Sequence, residues 1–322
     1  MRLRNPWSFF LLSAALLPAA EPPAAAPPPP APATAAGTEQ EPSLEDLYES
    51  GRTLFEAFAP EEIKAQYEFP SKEQWDQFAA RLQQALAGDQ LEALAEYEPE
   101  AKAALTALRA LPGYEDYADW LEERLDYIEA AKQTIREPLP EVLPPGPGPR
   151  PTGALIPHYA LWLQRMRDRP VPANAEKLIP VLRAAFAAEG VPAALVWLAE
   201  AESTLNPAAR SPSGARGLFQ LMEPTAKELG LSTWLPDERT DPEKSARAAA
   251  RLLQRLHAKF GDWPLALAAY NAGAGRVQRA LAKQEAKTFA AIANSLSAET
   301  RMYVPKVLAT LQVRAGVAPE KL

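Results

Sequence analysis

The chain has 322 residues, more than one ordinary hydrophobic core organises, and 47% hydrophobic against 23% charged residues describes a protein that folds. It has no cysteine, which excludes disulfides, thiolate catalysis and Cys-based metal centres. Two histidines, His158 and His257, leave little material for a metal site or a Ser–His relay, and a net charge of −7 argues against nucleic acid as a whole-chain partner.

At the start, Met1-Arg2-Leu3-Arg4 precedes an apolar run from Trp7 to Leu17 and then small residues. This is the pattern of a secretory signal peptide over 1–20, too short to span a bilayer comfortably. The expectation is export to the periplasm or cell envelope of a bacterium, with no membrane span after cleavage. Residues 22–36 hold seven prolines and 138–151 hold seven more. Proline-dense stretches supply neither ladder donors nor helix interiors, so 21–41 and 138–151 read as extended spacers. They divide the chain into a unit at 42–137 and another at 152–322.

The first unit reads as all-helical. Tyr114, Tyr117, Leu121, Leu125 and Ile128 recur at three- and four-residue steps, the stripe of an amphipathic helix. Leu82, Leu86, Leu91 and Leu94 suggest further helices around a break at Gly88-Asp89. Residues 38–141 carry 25 acidic and 9 basic side chains, a net of −16, which is either a docking surface for a protein partner or simply a solvated helical face. The remainder, 142–322, is net +8.

In the second unit the patterning predicts helices near 174–189, 192–203, 224–229, 242–260, 263–270, 274–282 and 297–314. The stretch 204–223, rich in Gly, Pro and Ser, reads as a loop with room for a small β-hairpin or irregular turns. Pro192 opens the second of these helices, and Asn206-Pro207 prevents any continuation beyond it. At about 100° per residue, Glu202 projects within about 20° of Leu195, on the apolar stripe formed with Leu198 and Ala199. Glu200 by the same count faces the other way, so Glu200→Gln is expected to be nearly silent. A carboxyl on an apolar face near a helix C-terminus resists ionisation, as a general acid for a glycosidic bond requires; the alternative is a last-turn Glu that swings to solvent or pairs with arginine.

The stretch Ala201-Glu-Ser-Thr-Leu-Asn-Pro through Gly217-Leu-Phe-Gln-Leu-Met222 resembles the catalytic signature of the lytic murein transglycosylases. Asp237-Glu-Arg-Thr-Asp-Pro242, Gly261-Asp-Trp-Pro through Tyr270-Asn-Ala-Gly273, and Glu299-Thr-Arg-Met-Tyr-Val-Pro305 resemble later blocks of that family in the same order, nearest the membrane-bound D-type branch. The resemblance covers about 174–316. It implies a mainly α, lysozyme-like catalytic domain, with a small β/loop segment, preceded by a separate all-α helical unit. The implied substrate is peptidoglycan glycan strands, cut at the β-1,4 MurNAc–GlcNAc bond without water to leave 1,6-anhydro-MurNAc, with no metal and no cofactor.

Carried over by the resemblance, Glu202 is the acid and then the base. Ser203, Ser211, Gln220, Met222, Tyr270, Asn271 and Tyr303 are the substrate-binding candidates. Several have a plainer alternative: a backbone hydrogen bond for Ser203, a turn for Ser211, core packing for Met222, Tyr270 and Tyr303. Gly214 and Gly217 suit tight turns. Trp197, Trp234 and Trp263 suit either sugar stacking or the core. Where the family has proline directly after the position of Met222, this chain has Glu223 and then Pro224, which leaves the loop shape there open. The rival readings are a goose-type muramidase on the same fold and a non-catalytic peptidoglycan-binding scaffold.

Overall fold

The computed structural model describes residues 84–99, 101–102, 105, 109, 115–136, 156–211 and 213–322. The expected signal peptide, both spacers, residues 42–83, Tyr114 and the side chain of Tyr117 lie outside them. The described chain is mainly helical. Its β pairing is two isolated bridges, Arg210 with Arg216 and Arg216 with Leu221, inside the stretch expected to be loop-rich. None of the described helices is long and apolar enough to cross a membrane.

In the N-terminal unit, residues 84–87 are helical, the chain breaks at Gly88-Asp89, and α1 (Leu91–Ala95) comes next. Helix α2 (Glu115–Arg136) carries the expected stripe, with Leu121, Leu125 and Ile128 buried. Each such side chain withdrawn from water contributes about 1.5–3 kcal/mol. The described part of this unit does not stand apart in space. Its stripe belongs to the same hydrophobic cluster as Trp162, Phe186 and Tyr303 of the C-terminal unit, because an apolar stripe needs an apolar neighbour.

The C-terminal unit begins with α3 (Tyr159–Arg167), a helix that the sequence patterning does not announce. Its entry residue, His158, adopts a left-handed conformation (φ 61°) and makes no side-chain cap, so no start signal is present to read. Then come α4 (Ala175–Ala188), a 3-10 segment (Ala193–Trp197) running directly into α5 (Leu198–Ser203), α6 (Glu223–Glu228), α7 (Pro242–Phe260), α8 (Trp263–Ala272), α9 (Ala274–Lys283), α10 (Phe289–Ile292) and α11 (Ala298–Ala315). The capping chemistry explains the sharp starts: Asp241 accepts from the Lys244 N–H at 2.8 Å, Asp262 from Leu265 at 2.8 Å and Ser297 from Thr300 at 3.3 Å. Nearly every residue of α11 from Ala298 to Leu311 is buried, and it packs against α2, α3, α5 and α8. This central helix places Tyr303 beside the short helix that carries Glu202.

Candidate active site

Two carboxylates leave α5 in different surroundings. Glu200, expected to face outward, is 2% exposed. Its Oε1 and Oε2 accept from Nη2 and Nε of Arg314 on α11 at 2.7 and 2.9 Å. The count from Leu195 fails because Ala193–Trp197 winds as a 3-10 segment, near three residues per turn. Helix α5 is moreover enclosed, with Leu198, Ala199, Ala201 and Ser203 buried as well.

Glu202 is half-buried, and its Oε1 accepts a 2.5 Å hydrogen bond from the Tyr303 hydroxyl. Burial pushes Glu202 up to about 7; the Tyr303 hydrogen bond and the Arg124 charge oppose that rise, and Glu299 adds to it. Burial and then the charge of Glu202 push Tyr303 well above the ordinary phenol range, so its hydroxyl stays a donor. The result is a carboxyl that can hold a proton near neutrality, with one oxygen oriented by a fixed donor.

The loop after α5 is pinned from three sides. The Ser203 hydroxyl lies within hydrogen-bonding reach of the Ala199 and Leu218 carbonyls, at 3.1 and 3.0 Å, so it ties helix to loop. Tyr270, on α8, donates to the Phe219 carbonyl at 2.7 Å, and its hydroxyl is raised well above the ordinary range by burial and then by Glu202. Arg239 is buried, pairs with both oxygens of Asp237 (3.0 and 2.7 Å), and donates to the carbonyls of Gly214 (2.9 Å) and Leu221 (3.2 Å). The second block of the resemblance therefore braces the loop. Gly217 has φ +77°, and a Cβ there would lie 1.8 Å from the Arg239 carbonyl oxygen, so no other residue fits this approach.

The other candidates occupy varied positions. Ser211 Oγ accepts from the Ala215 N–H at 3.0 Å and lies 2.9 Å from Ser213 Oγ, a turn arrangement. Gln220, at φ 44°, donates through Nε2 to the Gly217 carbonyl at 2.9 Å. Met222 is exposed rather than core, and leads into α6, where Glu223 pairs with Lys227 at 2.5 Å. Asn271 accepts from Thr300 Oγ1 at 2.7 Å, which links α8 to the first turn of α11. The three tryptophans diverge: Trp197 is buried, Trp263 stacks on His257 at 4.1 Å, and Trp234 protrudes at 79% exposure. The structure thus joins Glu202 to Tyr303 directly, while Ser203 and Tyr270 act on the loop.

Two side chains near Glu202 escape the sequence patterning. On α2, Arg124 pairs with Glu123 at 2.9 Å and reaches Glu299 at 3.4 Å. Burial pushes Glu123 up to about 8, opposed by Arg124 and Lys306 and reinforced by Glu202 and Asp126. The available signal is spacing: Arg124 is three residues after Leu121 and four before Ile128, a charge within an apolar stripe. Among the described residues, no cluster of three His, Asp or Glu side chains could hold a metal ion.

Residues 180–293 match the family described as "Transglycosylase SLT domain". Membrane-bound lytic murein transglycosylase D of Escherichia coli K12 is 41% identical over 123 residues, which is 37% of this chain and 27% of that protein. Membrane-bound lytic murein transglycosylase F of Alcanivorax borkumensis is 43% identical over 94 residues (27% of this chain, 19% of that protein). The soluble lytic murein transglycosylase of Salmonella typhimurium is 38% identical over 120 residues (35% and 19%). This chain therefore spans about a quarter or less of the length of these curated relatives. Among solved structures, the 70 kDa soluble lytic transglycosylase in complex with bulgecin A superposes with a TM-score of 0.42 at 18% identity, over 86% of this chain and 61% of that one. The helix bearing Glu202, its braced loop and α8 with Tyr270 all fall inside the segment that matches the SLT-domain family, whereas Tyr303 lies beyond it.

Proposed function

We propose that this chain is a peptidoglycan lytic transglycosylase of the bacterial cell envelope, with Glu202 as its single acid and base. The observation that carries the reading is the Glu202–Tyr303 pair: a carboxyl raised to about 7 by burial, with one oxygen held at 2.5 Å by a phenol whose own ionisation burial pushes well above the ordinary range. In the first step Glu202 gives its proton to the glycosidic oxygen as the C1–O bond of the muramoyl residue breaks. The resulting carboxylate then takes the proton of the muramoyl C6 hydroxyl, whose oxygen bonds to C1 and closes the 1,6-anhydro ring. One proton leaves Glu202 and one returns, so no water is consumed and a second carboxylate is unnecessary, unlike the two-carboxylate arrangement of hydrolytic glycosidases.

Tyr303 occupies Oε1 and orients the carboxyl so that Oε2 faces the reacting atoms. Charge developing at C1 is stabilised by polar groups of the loop and of α8, for which Ser211, Gln220, Tyr270 and Asn271 are the candidates, while Met222 offers apolar contact to the sugar. Ser203 contributes by fixing the loop. The net charge of +8 on 142–322 favours approach to the anionic wall.

The test is mass analysis of muropeptides released from purified sacculi by the full chain. Products ending in 1,6-anhydro-MurNAc support the reading. Reducing MurNAc ends indicate a muramidase on the same fold, and sacculus binding without release indicates a scaffold.

A further inference from the structure

The mechanism leaves unused a dense set of charged side chains on α2, all directed at the C-terminal unit. Arg124 reaches Glu299 at 3.4 Å. Asp126 accepts a hydrogen bond from Arg165 at 2.8 Å and forms ion pairs with Lys306 Nζ at 3.0 Å and Arg169 at 2.7 Å. Lys306 also lies over the Tyr127 ring, 4.6 Å from its centroid. Upstream of α2, the Gly88 carbonyl accepts from the Ala298 N–H at 2.6 Å and the Asp89 carbonyl accepts from Arg301.

These contacts have an order along α11. Gly88 and Asp89 hold its first turn; Glu299 lies one turn before Tyr303 and Lys306 about one turn after it. Two ion pairs from one helix thus bracket the tyrosine that holds Glu202. The second pair is no surface decoration: Lys306 is 1% exposed, and Asp126, its partner, 6%. An isolated buried lysine is strongly unfavourable, so Lys306 depends on Asp126 to be tolerated there at all.

We infer that helix α2 of the acidic N-terminal unit completes the active site of the C-terminal unit, with Arg124 and Asp126 forming an ionic clamp on α11 that positions Tyr303 against Glu202. Arg124 and Asp126 are positioning residues, since they act through α11. The inference rests on the proposed function for its kinetic meaning and on the contacts alone for its structural one. It also gives part of the acidity of the N-terminal unit an occupant: the basic C-terminal unit of the same chain. The groups that act on Glu202 are Tyr303, Glu299 and Lys306 from α11, Arg124, Glu123 and Tyr127 from α2, and Tyr270 from α8. Among these, Arg124 and Lys306 both favour the ionised form of Glu202.

The experiment uses full-length Arg124→Gln, Arg124→Lys and Lys306→Met, each confirmed folded by circular dichroism. Two readouts are taken: the rate of muropeptide release at saturating sacculi, and the 13C titration of the Glu202 carboxyl, assigned with Glu202→Gln. The clamp predicts that Arg124→Gln and Lys306→Met slow release about tenfold, the scale of one charge-assisted hydrogen bond, with little change in half-saturation. It also predicts that both move the Glu202 titration to higher pH, and that Arg124→Lys restores part of each effect. Folded variants with unchanged release and unchanged titration overturn it. If the parent chain releases nothing, the proposed activity fails; the clamp is then decided by the Glu202 titration in a Tyr303→Phe background, where a clamp acting through Tyr303 predicts a smaller shift from Arg124→Gln than in the parent and an undiminished shift overturns it.

Discussion

Two carboxylates two residues apart on one short helix show how surroundings divide labour. Glu200 meets Arg314 near the end of α11 through two hydrogen bonds and is closed off from solvent. Glu202 meets Tyr303 in the first half of the same helix through one neutral donor, and is partly open. A guanidinium fork satisfies a charge; a phenol orients a carboxyl while leaving its proton available. Helix α11 thus reads out both positions, and the difference lies in which of its residues faces each.

The comparison can be broken by exchanging what each carboxylate is allowed to do. The largest effect is expected at Glu202→Gln, with muropeptide release falling by about 10²–10⁴-fold while the fold is kept. Glu200→Gln should do the reverse, lowering unfolding free energy by about 3 kcal/mol in urea titrations because Arg314 keeps a buried, uncompensated charge, with release per folded molecule nearly unchanged. Tyr303→Phe should slow release about tenfold, the scale of one charge-assisted hydrogen bond, and raise the pH at which Glu202 ionises, since that bond favours the carboxylate. The smallest effect is on thermal stability. Glu202 and Glu123 have folded-state values raised from 4.5 to about 7 and about 8, so the native state binds more protons than the unfolded one across that window. Stability should therefore decline as pH rises from about 6.5 to about 8, above the range in which buried His158, lowered from 6.5 to about 4, pulls the other way, and Glu202→Gln should lessen the decline.

Much of this was legible in the sequence. The expected helices from 174 to 314 appear within two residues of their bounds, because Asp241, Asp262 and Ser297 mark starts and Gly261 and Gly316 mark ends. Glu202 was legible as an acid on an inward face, although the 3-10 turn before it spoils the angular count and hides the burial of Glu200. The illegible part depends on long-range contact. No local pattern pairs Glu200 with Arg314, Tyr303 with Glu202, or Arg124 with Glu299, 175 residues apart. Trp234, which by residue type suits either the core or a sugar, stands at 79% exposure and so is not a core residue.

In the proposed mechanism burial keeps Glu202 protonated near neutrality so that it can serve as the acid. The direct measurement is the pH dependence of muropeptide release by the full chain at saturating sacculi. Release is expected to fall as pH rises through about 7, because the protonated fraction of Glu202 is lost there. A decline that begins in the ordinary glutamate range, about 4–5, with no further loss around neutrality would contradict it.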